Sequence, residues 1–310
     1  MAVEKLEKDW VKYPILHLDL NIEKYDTPDS LDNILDKSLT AWEKLYGAEP
    51  SERSFSLRFA GIIERACKQA GQRVVILVDE YDKPMLQAIG NEELQRQFRN
   101  ALKPFYGALK TMDGCIKFAF LTGVTKFGKV SVFSDLNNLD DISMRKDYVE
   151  LCGVSDRELH DTLDAELHEF ADVRGVTYDK LCAELKECYD GYHFTHNSIG
   201  MYNPFSLLNA FKYKEFGSYW FETGTPTYLV SLLKKHHYDL ERMAHEETDA
   251  QVLNSIDSES TNPIPVIYQS GYLTIKGYDE EFGIYRLGFP NREVEEGFVR
   301  FYASLLCECQ

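Results

Sequence analysis

No stretch of this 310-residue sequence approaches the roughly 18 consecutive apolar residues that a membrane-spanning helix needs. The opening residues, Met-Ala-Val-Glu-Lys-Leu-Glu-Lys-Asp-Trp, have neither the apolar core of a secretory signal nor the arginine-rich character of a transit peptide. The seven cysteines are odd in number and show no spacing of a disulfide framework or of a C-x2-C metal site. Cys182 and Cys188, with His193 and His196 beyond them, make only a loose group and read as ordinary thiols and rings. Positive charge is scarce as well. With 34 Lys and Arg against 51 Asp and Glu, the formal charge is −17, so duplex nucleic acid meets net repulsion except at a local basic patch. These absences predict a soluble cytoplasmic protein with no membrane partner and no general nucleic-acid-coating role.

What is present is enough apolar material, 44% of residues, to fill about two domain cores. The first half alternates strand-like and helix-like segments, the pattern of an α/β fold with a largely parallel sheet. Tyr13 to Leu20 reads as a first strand. Leu31, Ile34, Leu35, Leu39, Trp42 and Leu45 recur at helical spacing and stop before Gly47, and Phe55, Phe59, Ile62, Ile63 and Ala66 mark a second helix ended by Gly71. Val74-Val75-Ile76-Leu77-Val78 is the most strand-like run, and its lack of alternation predicts burial on both faces. Residues 91–112 form an amphipathic helix with Pro104 as a kink, and Ile116 to Thr122 a further strand. Ser155-Asp156-Arg157-Glu158 is a capping box opening a helix along Leu159, Leu163, Leu167 and Phe170. From there to about residue 245 the signals are helical. The end reads as helix, hairpin and helix, a winged-helix-like module closing from about Arg292.

Chemistry concentrates where the most strand-like run ends, at Asp79-Glu80-Tyr81-Asp82. A buried strand that delivers adjacent carboxylates is the Walker B arrangement of P-loop NTPases. Asp79 then holds Mg²⁺, and Glu80 orients and deprotonates the attacking water. The competing reading is an acidic turn that solvates a strand end. Thr122 ends the next strand, where a sensor hydroxyl belongs, or else it bonds its own backbone. A phosphate loop, G-x4-G-K-[ST], does not occur in residues 1–73. The near match Gly123 to Val130 has Val130 where the metal-binding hydroxyl is required, and it leaves Lys126 and Lys129 free to approach a nucleotide or another strand. Asp79, Glu80 and Asp82 could alternatively hold Mg²⁺ for phosphodiester hydrolysis, but they lack a lysine at nuclease spacing.

Glu7-Lys8-Asp9-Trp10 through Tyr13-Pro14 to Asp19-Leu20, Val78-Asp79-Glu80-Tyr81-Asp82-Lys83-Pro84 and Phe120 to Phe127 resemble the bacterial AAA-ATPase-like family, related to archaeal-type and STAND P-loop ATPases. So do Tyr189-Asp190-Gly191-Tyr192-His193-Phe194, Tyr202 to Ser206, Tyr219 to Pro226 and Tyr268 to Leu273. The resemblance implies ATP and Mg²⁺ as ligands, with Asp79 at the metal, Glu80 catalytic, and Thr122 and Lys126 toward the nucleotide. It implies an α/β core over 1–153, a helical lid over 154–245 and the winged-helix-like module over 246–310. It also implies a Walker A strand and helix ahead of residue 1, and in many members a PD-(D/E)XK nuclease-like region after residue 310. On that expectation the intact protein hydrolyses ATP to switch an attached effector, and this chain alone is inactive. The alternative is a scaffold whose NTPase fold has lost catalysis and binds a protein partner. The aromatic motifs after residue 189 read as packing groups rather than a ligand pocket, and Glu222 either faces the nucleotide site or, as the helix start at Thr225-Pro226 favours, caps a helix.

Overall fold

The computed structural model describes residues 5–125, 136–223, 246–253 and 262–307, with side chains through Phe301. The chain divides into two compact units, residues 1–139 and 140–310.

The first unit is a three-stranded parallel sheet with helices. Strands β1 (Ile15–Asp19), β2 (Val74–Asp79) and β3 (Ile116–Leu121) pair in that order, so the carboxylate-bearing strand is central. Ile15 pairs with Val75 and Asp19 with Asp79, while Val78 pairs with Leu121. Helices α1 (Asp29–Tyr46) and α2 (Phe55–Ala70) connect β1 to β2, and short α3 (Lys83–Gln87) and long α4 (Glu92–Thr111) connect β2 to β3. These are crossover connections, which parallel neighbours require. Local chemistry sets the ends. Ser54 caps α2 by accepting from Leu57 N, and Gly71 closes it in the left-handed conformation. Asn91 caps α4 in the same manner through Leu94 N. Pro104 lies inside α4, which runs as a single helix through it.

α2 packs on α1, α4 and β2. Its Phe59 stacks on Trp42 of α1 at 5.8 Å and on Phe105 of α4 at 4.5 Å, and all three rings are buried. On the sheet, Leu16, Leu18, Ile76 and Val78 are fully buried. The other face corrects the sequence expectation. Val75 and Leu77 are only part-buried, and their neighbours Ile15 and Phe118 are 56% and 54% exposed. The unbroken apolar run therefore reflects a central strand in a sheet covered on one face, rather than burial on both.

The second unit opens with the capping box, with Ser155 and Glu158 bonding reciprocally at the start of α5 (Asp156–Thr162). The one helix expected along Leu159 to Phe170 is two, because Leu163 leaves the helical region and α6 (Asp164–Arg174) starts anew. With α7 (Tyr178–Tyr189) and α8 (Pro204–Tyr213) these helices bury Leu159, Leu167, Phe170, Leu181, Leu185 and Leu207. Two-residue strands β4 (Val154–Ser155) and β5 (Met201–Tyr202) pair antiparallel beside them, and α9 (Tyr219–Glu222) follows α8.

Strand β6 (Glu247–Asp249) leads into α10 (Ala250–Leu253). Helix α11 (Ile264–Gln269), the hairpin β7 (Thr274–Asp279) and β8 (Ile284–Gly288), and α12 (Arg292–Cys307) complete the chain. β8 lies between β6 and β7, both antiparallel to it. No described helix is long and apolar enough to cross a membrane.

Candidate functional site

In open α/β sheets ligands bind beyond the carboxyl ends of the strands. The three parallel strands bring Asp19, Asp79 and Thr122 to that edge. Thr122 N donates to Val78 O at 2.8 Å, which extends the β2–β3 ladder by one residue, and Tyr81 N returns the contact to Thr122 O at 2.9 Å. The Thr122 hydroxyl donates to Asp79 Oδ1 at 2.5 Å. The hydroxyl's short bond is thus to the carboxylate of the adjacent strand, and its reach to the backbone of that strand, Val78 O, is 3.4 Å.

Glu80 follows with φ 55°, in the left-handed region that non-glycine residues enter at a cost of about 1–2 kcal/mol. That turn of the backbone takes the chain away from the β2 direction immediately after Asp79. Burial pushes the Glu80 carboxyl above its ordinary pKa, and the charges of Asp82 and Asp79 add to it, while Lys83 opposes. A carboxylate with a raised proton affinity beside an exposed Asp79 suits proton abstraction from water.

The strain is held in place from below. Asp82 is 1% exposed and accepts from Val124 N at 3.2 Å, Thr125 N at 2.5 Å and Thr125 Oγ1 at 2.6 Å. The Tyr81 hydroxyl donates to Thr125 O at 2.8 Å. Gly123 makes this joint possible, since a Cβ there would stand 2.3 Å from Asp82 Oδ1 and 2.8 Å from Tyr81 Cε1. On the other flank Asn21 N donates to Asp19 Oδ1 at 2.8 Å, and Lys83 Nζ donates to Asn21 O at 2.7 Å and to Asn21 Oδ1.

Asp79, Glu80 and Thr122 therefore stand together at one edge of the sheet. Lys126 lies outside the described residues, as do Lys129 and the rest of the near-match loop beyond Thr125. Sequence reading missed the anchoring role of Asp82 and the link from Asn21 to Lys83. Asp19 was legible only as the last polar residue of the first apolar run, and parallel pairing is what sets it beside Asp79. The donor chemistry fits Mg²⁺, which takes one or two carboxylate oxygens and completes its shell with water and substrate phosphates. Among the described residues no three His, Cys, Asp or Glu side chains form a ready metal cage, and such a Mg²⁺ site does not call for one.

The aromatic motifs of the second unit fill its cores. Tyr189 and Tyr202 are buried among α6, α7 and α8, while Trp220 and Phe221 pack against the cluster of Tyr272, Leu273 and Phe298. Glu222 is the last residue of α9, and the helix start expected at Thr225 and Pro226 lies outside the described residues. The cap of α9 comes from far along the chain: Glu293, 5% exposed, accepts from Trp220 N at 2.8 Å. Nothing near α9 in sequence announces that partner.

The three-stranded parallel sheet with its helices defines an α/β protein, with Asp19, Asp79 and Thr122 at the carboxyl edge where ligands of open sheets bind. Residues 1–133 match the family model described as "Predicted AAA-ATPase". The chain is also similar to a protein of Azotobacter chroococcum mcd 1 described as "Uncharacterized protein in vnfD 5'region", with 36% identity over 291 residues. That alignment covers 93% of this chain and 54% of the relative, so the chain spans about half of the relative's length. No solved structure matches it.

Proposed function

We propose that the β2–β3 edge is the metal and water side of an ATP-hydrolysing site. The observation that carries this reading is the Thr122–Asp79 bond across two parallel strand ends, with Glu80 turned out beside it. Asp79 would hold Mg²⁺, which supplies charge neutralisation for the phosphates when bound. Glu80 takes the proton of the attacking water, its carboxyl kept in place by the left-handed turn. Thr122 fixes the Asp79 carboxylate, and Lys126 supplies positive charge to the nucleotide.

Residues 1–73 contain no G-x4-G-K-[ST] loop to cradle the β- and γ-phosphates, so these 310 residues alone turn over no ATP in this reading. In a polypeptide that also supplies such a loop, hydrolysis drives a conformational switch coupled to an effector. The parts would be an NTPase-like core over 1–153, a helical lid over 154–245 and a winged-helix-like module over 246–310. The helix–hairpin–helix run of α11, β7, β8 and α12 supports the last of these. The missing loop also favours a second reading, a scaffold that keeps the NTPase fold without its chemistry and binds a protein partner.

The test is calorimetry and phosphate release with Mg·ATP, on this chain and on a polypeptide that joins it to a phosphate loop. The first reading expects ATP binding only with the loop, and Glu80→Gln keeping that binding while turnover falls by about 100-fold or more. Turnover insensitive to both Glu80→Gln and Asp79→Asn would refute the assignment. Binding without turnover in the loop-bearing polypeptide would support the scaffold.

A further inference from the structure

Glu293 lies in the first turn of one helix and bonds the start of another. It belongs to α12, whose own cap is Asn291, since Val294 N donates to Asn291 Oδ1 at 3.1 Å. Its Oε1 accepts instead from α9, from Trp220 N at 2.8 Å and from Phe221 N at 3.5 Å. The hydroxyl of Ser206 on α8, fully buried, accepts from the same Trp220 N at 3.2 Å. One turn further along α12, Gly297 makes room for Phe221, because a Cβ there would stand 2.5 Å from Phe221 Cγ. Phe221 also meets Tyr272 at 5.8 Å and Phe298 at 6.5 Å, so the surroundings of the carboxyl are apolar. Glu293 is 5% exposed, and its second oxygen, Oε2, is buried with no hydrogen-bond partner among the described residues.

An ionised carboxylate in such a place is costly unless a cation offsets it. Arg292, next to it on α12, is engaged with Glu187 at 3.1 Å and with Cys188 at 3.0 Å. Lys276 on β7 donates to Pro290 O at 3.0 Å. The titratable groups facing Glu293 bring no positive charge: Glu222 and Tyr219 from α9, Tyr189 from α7, and Tyr192 from the segment between α7 and β5. Burial pushes the carboxyl above its ordinary pKa and outweighs the hydrogen bonds from Ser206, Trp220 and Phe221 that favour the anion, while Glu222 adds to the rise.

We propose that Glu293 is a proton-operated latch: protonated, it holds α9 on α12, and ionised, it loosens that contact. The sign follows from linkage. A carboxyl with a raised affinity for its proton in the docked state supports docking fully below the ordinary carboxylate pKa, and that support is lost as pH rises through the docked-state value. α9 therefore sits most firmly in mild acid.

The test is hydrogen exchange on the whole chain from about pH 4 to about pH 8, read at the Trp220 and Phe221 amides as protection relative to intrinsic exchange. Protection in the wild type should fall by up to about tenfold per pH unit between the ordinary and the docked-state carboxyl pKa. Glu293→Gln keeps an acceptor for Trp220 N but cannot ionise, so its protection should not change with pH. A carboxyl-carbon NMR titration of Glu293 in the wild type needs no variant and should show a midpoint above the ordinary glutamate value. Wild-type protection that stays level or rises with pH would overturn the proposal. So would an equal pH dependence in Glu293→Gln, or a Glu293 midpoint at or below the ordinary value.

Discussion

Asp82 lets burial be weighed directly against hydrogen bonding. Its three bonds from Val124 and Thr125 pull the proton affinity down, burial pushes it up, and burial wins. Replacing it by Asn keeps one acceptor oxygen but adds two donors facing two N–H groups and a hydroxyl. At least one bond is lost, at a cost of about 1–3 kcal/mol, and Asp82→Ala strands all three donors for about 3–5 kcal/mol. For a unit of this size that lowers the melting temperature of the Asn variant by about 3–10 °C. The sign with pH is the sharper result. A carboxyl whose folded pKa lies above its unfolded value binds its proton more readily when folded. It therefore favours folding below the unfolded pKa and loses that contribution as pH rises through the folded pKa. The wild-type advantage over Asp82→Asn should grow as pH is lowered from about 7 toward 4. The assay is urea unfolding at each pH, resolved by hydrogen exchange in peptides of the first unit. An advantage that shrinks in acid would mean the hydrogen bonds outweigh burial, and the reasoning would fail.

Other outcomes follow from the same contacts. Gly123→Ala drives a methyl into Asp82 and Tyr81 and should cost about 1–3 kcal/mol, read as a lowered urea midpoint; a neutral result would show that the joint can open freely. Because Glu80 sits at φ 55°, Glu80→Gly should be more stable than Glu80→Ala by about 1 kcal/mol, measured by parallel denaturation curves. Phe59→Ala empties the stack between Trp42 and Phe105 and should destabilise by about 3–5 kcal/mol with a change in tryptophan emission.

Periodicity and punctuation made most of the first unit legible. Gly47 and Gly71 stopped α1 and α2 where a C-terminal glycine should, and the β-branched run ending in Asp79 is the central strand of the sheet. Asp79, Glu80 and Thr122 were readable because strand ends in a parallel sheet converge by topology alone. What the one-dimensional pattern lacked was distance. Asp82 reaches 43 positions forward to Thr125, and Glu293 reaches 73 positions back to Trp220. Both look in sequence like surface acids, and only packing turns them inward. Leu163 misled for another reason: its apolar side chain fits the helical stripe, but its backbone ends one helix and begins another.

The order β1-β2-β3 has a consequence for how the site opens and closes in time. Among the described strands of this sheet β2 alone has a hydrogen-bonded neighbour on each side, so its amides should exchange with solvent only through the largest opening of the first unit, while the outer strands fray at lower free energy. The Thr122–Asp79 bond therefore joins a slow strand to a faster one. Any event that steadies β3 will register first as slowed exchange at Thr122, long before Asp79 itself reports a change.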